Sequence, residues 1–300
     1  MRKVLLFGAG PGAVNYINNQ KEHCHFVGFI DNDSRKHGGK YAGLPVYGVD
    51  ALSLLDYDKI VITTQWVADV RRQLIDQLLI DEALIVVPAK EQLKALKPFE
   101  HAATLVLASQ LIAKLSQQAQ HDQLMLWVDF GTLLGLVRDG DIIPWDDDVD
   151  FAITPDLAPF FSHWLAEQMV SLSAPEGWSI DVLCDAHERI QSVLLRWQNS
   201  EEIRPFTVSF SVREEIEGQS RHMPSLGMWY APAKHFSAQD WLKWNGVEVP
   251  VPKDSESYLS FVYGDWKVPK REMQLTDYAN LQESSFEQFK AAGLHSKKVY

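Results

Sequence analysis

Four aspartates crowd into five positions of this chain: Asp146, Asp147, Asp148 and Asp150. Carboxylates set this close repel one another unless a cation sits among them. The run Asp148-Val149-Asp150-Phe151 alternates acid with apolar side chain. On a strand, Asp148 and Asp150 then share one face while Val149 and Phe151 face the core. Two carboxylates about 6–7 Å apart along a strand can hold one or two Mg²⁺ ions, which prefer a few carboxylates with phosphate oxygens and water. Asp148 and Asp150 are therefore the expected metal ligands. The plain alternatives are a solvated acidic loop or a structural Ca²⁺ site. The spacing is not that of an EF-hand, which needs a Gly at its sixth position and a Glu at its twelfth.

A second group precedes the aspartates. Gly131-Thr132 follows an apolar run, Leu124–Val128. A glycine lets backbone amides approach a phosphate, and the threonine hydroxyl can donate to it. Gly131 and Thr132 are thus expected to position a phosphate. Asp146 or Asp147 is expected to orient metal-bound water or to act as base towards an acceptor hydroxyl. Arg138 is expected either on a phosphate, offsetting charge that develops in phosphoryl transfer, or in an ion pair with Asp141. Trp145 either packs the loop or stacks on a ligand.

A third candidate lies at the start. Gly8-x-Gly10-x-x-Ala13, with Gly12 inside it, follows the apolar run Val4–Phe7 and opens a helical pattern to about Asn19. Such a loop brings the backbone close to a diphosphate at a helix N-terminus. Asp31 closes the next strand, His25–Ile30, where a dinucleotide-binding domain places its ribose-binding acid. Gly8, Gly10, Gly12 and Asp31 are the expected contacts of a nucleotide or nucleotide-sugar. A βα turn that holds no ligand is the alternative. His23-Cys24-His25 is not read as a metal site, because strand neighbours point to opposite faces.

These groups need elements to carry them. The chain has 300 residues, 46% hydrophobic and 23% charged, the composition of an ordinary globular protein with room for two domains. The net charge is −12, and residues 1–100 contribute none of it. The window from Asp129 to Asp150 holds seven Asp and one Arg, half of the excess. An acidic chain is a poor nucleic-acid binder. The 2 cysteines, Cys24 and Cys184, are far apart and form no CxxC pair. The N-terminal apolar run stops at Gly8, too short for a signal-peptide core, and no stretch reaches the length of a membrane span. The expected location is the cytoplasm.

Apolar runs at Val4–Phe7, His25–Ile30, Lys59–Thr63 and Ala83–Val87 alternate with helical patterns, the last at Val67–Leu79, and predict a parallel α/β sheet. A proline after the helical run near Lys94–Phe99 marks the boundary, giving domains 1–98 and 99–300. Nine of the ten tryptophans lie beyond it. Leu105, Ala108, Leu111, Ile112 and Leu115 predict a helix over Ala102–His121. Strands are predicted at Val193–Trp197, Phe206–Val212 and Val247–Val251, and a helix at Ser255–Tyr263.

Two resemblances sharpen this reading. Val27–Asp33, Ala42–Gly48 and Lys59–Thr63 resemble the Rossmann-like domain attached to bacterial polysaccharide-biosynthesis proteins, over roughly residues 1–90. Phe130–Gly135 with Ile143–Asp150 closely resembles the LicD family, related to the fukutin proteins and part of the nucleotidyltransferase-fold superfamily. Asn245–Pro252, Tyr258-Leu259 and Tyr263–Pro269 resemble that family's C-terminal pattern. The resemblance implies a fold class of α/β type: a Rossmann-like parallel sheet, then an α+β nucleotidyltransferase-fold domain. It implies Mg²⁺-dependent transfer of a phospho-substituent, phosphocholine or a phospho-polyol, from a CDP-linked or similar donor. The acceptor it implies is a sugar hydroxyl of a cell-surface glycan such as lipopolysaccharide or capsule, with the protein peripheral to membrane glycan machinery. The superfamily's third acid has no clear counterpart: Phe206–Val212 carries serines, and Asp181, Glu214 and Glu215 stand as alternatives. A sugar-nucleotide-binding module with a degenerate transferase half is the competing expectation, and an NAD-dependent redox enzyme a third. Tyr263-Gly264-Asp265-Trp266 is expected to close one edge of the site or to be a packed turn.

Overall fold

The computed structural model describes residues 1–94, 97–171, 177–197, 202–270, 288 and 291–300. The chain divides into two compact units, Met1–Ala95 and Leu96–Pro269, the latter completed by the C-terminal residues to Tyr300.

In the first unit the elements are β1 (Arg2–Phe7), α1 (Pro11–Gln20), β2 (Cys24–Ile30), β3 (Lys40–Tyr41), β4 (Leu44–Tyr47), β5 (Lys59–Ile62), α2 (Val67–Arg72) and β6 (Ile85–Val86). The sheet order is β3-β4-β2-β1-β5-β6. All pairs are parallel except β3 with β4. This is a Rossmann-like sheet. Its central strand β1 is buried on both faces, as a parallel strand covered on both sides must be. Val4 and Leu6 join Ala13, Tyr16 and Phe29 in one core. Leu5 and Phe7 join Ile60, Ile62, Val67 and Leu74 in the other. The predicted helix Val67–Leu79 is shorter, because α2 passes into a π-helical turn at Gln73–Gln77. The predicted strand Ala83–Val87 is shortened to Ile85–Val86, because a 3₁₀ turn, Glu82–Leu84, capped by Asp81 through the Ala83 N–H, takes its first residues.

The second unit carries α3 (Ala102–His121), β7 (Leu126–Val128), α4 (Phe130–Arg138), β8 (Asp148–Ile153), α5 (Ala158–Ser171), β9 (Trp178–Cys184), β10 (Ile190–Trp197) and β11 (Thr207–Ile216). Then follow β12 (Gln219–His222), β13 (Tyr230–Pro232), β14 (Gln239–Trp244), β15 (Val247–Pro252), α6 (Ser255–Tyr263) and β16 (His295–Lys298). The main sheet runs β13-β12-β11-β10-β9-β16. β8 pairs parallel to the first half of β11 and antiparallel to β7. β14 and β15 form a separate hairpin. Its two-residue turn is Asn245-Gly246, with φ of +48° and +79°, the left-handed pair that such a turn requires. Leu111, Ile112 and Leu115 of α3 pack into one core with Val149, Phe151, Val208 and Phe210.

Candidate metal centre

The aspartates sit at the start of β8 and in the turn before it. Ile143-Pro144-Trp145-Asp146 forms a β-turn closed by the Asp146 N–H on the Ile143 carbonyl at 3.0 Å. Proline at the second position pre-sets the φ that this turn needs. The turn folds Asp146 and Asp147 back over the beginning of the strand. One carboxylate oxygen from each of Asp146, Asp147 and Asp148 then lies within 4.8 Å of the others. All three side chains are half-buried. Within β8, Val149 and Phe151 are buried and Asp148 and Asp150 are not, the alternation read from the sequence. Three hard oxygen donors converging this closely suit a divalent cation such as Mg²⁺.

The convergent set adds Asp146 and Asp147 to Asp148, because the turn folds them back onto the start of the strand. Further along the same strand face, Asp150 Oδ1 accepts the Ser209 hydroxyl at 2.7 Å.

α4 follows β7 through Asp129 and Phe130. Gly131 is where the acidic turn touches this helix: a Cβ there would overlap the Asp146 carboxylate. One turn later a Cβ on Gly135 would come within 2.6 Å of the Asp141 carbonyl oxygen. Two small residues on one helix face thus let the loop lie flat against α4. Thr132 is 1% exposed, and its Oγ1 accepts the Asp150 N–H at 2.9 Å. The hydroxyl expected on a phosphate therefore ties the helix to the strand that carries the aspartates. Arg138, expected on a phosphate or on Asp141, is paired with Asp139 rather than Asp141. Its Nε and a terminal nitrogen hold Asp139 at 2.9 and 2.6 Å, with the Arg138 side chain 7% exposed. Asp141 accepts the Ile142 N–H.

Beneath α4 lies a network that the sequence reading did not contain. Asp129 and Arg213 form an ion pair at 2.7 Å with each side chain 1% exposed. Asp129 also accepts the Phe130 N–H and the Tyr258 hydroxyl. Arg213 donates to the Tyr258 oxygen at 3.1 Å. Its guanidinium stacks 4.3 Å from the Phe236 ring and 4.9 Å from Phe130. Burial, with the negative charge of Asp129, pushes the Tyr258 phenol well above its ordinary range against the pull of Arg213. The phenol keeps its proton and donates it. Phe130 has a φ of +44°, a strained value for a bulky residue. Its ring is boxed by His222 at 5.3 Å and Trp229 at 6.2 Å. Burial, then the Arg213 charge, hold the His222 imidazole well below its ordinary value.

The alternatives for a third acid fall away from β8. Asp181 pairs with Arg196 at 2.7 Å on β9 and β10. Glu214 and Glu215 lie on the second half of β11, opposite β12. Trp145 packs against the core of the unit. Tyr263–Trp266 is a packed turn: Gly264 caps α6 at φ +64°, and Trp266 donates to Ser260 at 3.1 Å.

In the first unit Asp31, the expected ribose-binding acid, lies beside the glycine loop. It is 8% exposed. Its Oδ2 accepts the Ala9 N–H and the Lys36 ammonium, each at 2.8 Å, and its Oδ1 accepts the Asp33 N–H. The acid thus closes the glycine loop onto β2. Two loop glycines are explained by close packing: a Cβ would lie 3.1 Å from Thr64 at Gly8 and 2.9 Å from the Thr63 oxygen at Gly12. Gly10 caps α1 with open space beside it.

Comparison with known families places two matches on these units. Residues 123–254 match the LicD/FKTN/FKRP nucleotidyltransferase domain. Residues 1–86 match the C2185-like N-terminal domain. No curated protein matches the chain. Among solved structures, the UDP-D-quinovosamine 4-dehydrogenase of Vibrio fischeri is 23% identical, covering 27% of this chain and 74% of its own, with a TM-score of 0.23. The WlbA dehydrogenase of Bordetella pertussis, in complex with NADH and UDP-GlcNAcA, is 14% identical over 73% of this chain and 69% of its own, with a TM-score of 0.23. A putative oxidoreductase of Bacillus subtilis is 12% identical over 97% of this chain and 96% of its own, with a TM-score of 0.27. Scores this low carry no functional weight. Among the described residues, no helix is long and apolar enough to cross a membrane.

Proposed function

From a chain that carries a LicD-family nucleotidyltransferase domain at residues 123–254, we propose a Mg²⁺-dependent phosphotransferase acting on a glycan. It moves a phospho-substituent of the phosphocholine or phospho-polyol type from a CDP-linked or similar donor to a sugar hydroxyl. The family supports a transferase. The observation that carries the finer reading is the convergence of Asp146, Asp147 and Asp148 against Gly131.

Bound there, Mg²⁺ supplies charge neutralisation for the donor diphosphate and for the leaving nucleotide. The chain's own residues do the rest. Gly131 leaves room for the Asp146 carboxylate, and Thr132 fixes Asp150 through its backbone. Asp148 and Asp150 line the strand face, and Asp146 or Asp147 accepts the acceptor hydroxyl's proton. Arg138, held by Asp139 at the end of α4, is the proposed cation for charge that develops on the transferred phosphate. In the first unit, Gly10 and the open start of α1 are the proposed contact for a nucleotide or nucleotide-sugar, with Asp31 shaping the loop.

A screen of CDP-linked donors with Mg²⁺ and sugar acceptors tests this. The expected result is CMP release that falls at least about 100-fold in Asp148→Ala and Asp150→Ala. Absence of nucleotide monophosphate with every donor overturns the reading.

A further inference from the structure

β11 lies parallel to β8 with Thr207 opposite Asp148 and Ser209 opposite Asp150. Along β11, Val208 and Phe210 are buried in the core, while Thr207 and Ser209 turn to the half-buried face that bears the carboxylates. Two hydroxyl side chains therefore stand in register with two acids.

Asp150 is fixed at three separate points. Its N–H donates to Thr132 Oγ1 at 2.9 Å. Its carbonyl accepts the Asp129 N–H at 2.9 Å. Its Oδ1 accepts the Ser209 hydroxyl at 2.7 Å. The first two bonds come from α4 and the end of β7 and set the backbone. The third comes from β11 and sets the side-chain torsion. A carboxylate that accepts one neutral hydroxyl keeps its full negative charge and its lone pairs on the second oxygen's outer side, whereas a carboxylate opposite another carboxylate is driven apart from it.

We propose that Ser209 is a positioning residue of the metal centre, fixing the Asp150 carboxylate so that it faces a cation held by Asp146, Asp147 and Asp148. This rests on the Mg²⁺ reading above and extends it to a residue that touches neither donor nor acceptor. A neutral hydroxyl at this register position makes the site less negative on the strand side. The acidic turn, with Asp146 and Asp147, supplies the charge instead. Partners that orient a metal ligand typically govern affinity by about 10–100-fold.

The test is calorimetric titration of Mn²⁺ into the full chain for the wild type, Ser209→Ala, Ser209→Thr and Asp148→Ala. The wild type is expected to bind, and Asp148→Ala to lose binding. Ser209→Ala is expected to bind about 10-fold more weakly. Ser209→Thr, which keeps the hydroxyl on a β-branched side chain suited to a strand, is expected to restore wild-type affinity. The unfolding midpoint of the metal-free variants serves as the second readout, and it is expected to be the same for Ser209→Ala and Ser209→Thr. Binding by Ser209→Ala as tight as the wild type's overturns this inference alone, as does failure of Ser209→Thr to restore it. Absence of binding by the wild type overturns the metal reading and this inference with it.

Discussion

Asp129 shows how much of the candidate site depends on single buried groups. Its carboxylate has Phe130, Arg213 and Tyr258 as donors. Replacing Tyr258 with Phe removes one neutral donor and is expected to cost about 1–3 kcal/mol in denaturant unfolding. Replacing Arg213 with Met leaves a buried carboxylate without its counter-charge and is expected to cost about 3–5 kcal/mol. Equal costs for the two would contradict the ion pair as the dominant contact. His222 adds a pH dependence. Its native form resists protonation, while the unfolded chain takes up a proton near pH 6.5. Stability is therefore expected to fall as pH drops below about 6.5, and His222→Gln to flatten that acid limb in thermal unfolding. None of these partners was legible in the sequence. Arg213 sits 84 residues from Asp129 and looks like a surface charge on an alternating strand. Asp146 and Asp147 were legible as acids, but their convergence with Asp148 came from the turn at Pro144, not from strand spacing.

Elements with strong local signals were read closely. The helices Ala102–His121 and Ser255–Tyr263 run over the expected residues, and β8 keeps the expected alternation. The missed strands include a polar one, Gln219–His222, and two with apolar alternation, Trp178–Cys184 and Gln239–Trp244. The polar strand forms because a partner strand is already in place, and nothing in its own composition announces it. At this scale the contact of α4 with the acidic turn makes a sharp prediction. Gly131→Ala is expected to leave thermal stability nearly unchanged, since alanine favours helix by about 0.5–1 kcal/mol while its Cβ displaces one half-buried side chain. Metal affinity and CMP release are expected to fall together. A variant that melts much earlier but binds normally would sink the idea that Gly131 serves the carboxylate.

Across the whole molecule the net charge of −12 has an uneven address. The first unit is neutral, and half of the excess lies between Asp129 and Asp150. A cation that binds there stabilises only the unit that holds it. At about 100 times its dissociation constant the gain is about 2.7 kcal/mol. Hydrogen exchange with and without Mg²⁺ is expected to show added protection in β7, α4 and β8 and none in β1. Uniform protection, or none, would argue against a cation on the aspartates. Strand–helix alternation and charge both change near residue 98, close to where the chain passes from one compact unit to the next at Ala95. The antiparallel half of the second unit was legible only in part, because its order is set by pairing between distant strands.

The Asp129 pocket also sets an order of events at the ribosome. Its last donor, Tyr258, is 129 residues further along the chain. At about 5–20 residues per second that is about 6–26 s of synthesis during which the carboxylate has been made and its closing phenol has not. The acids that would hold a cation emerge before the helix α6, whose Tyr258 closes the floor beneath them.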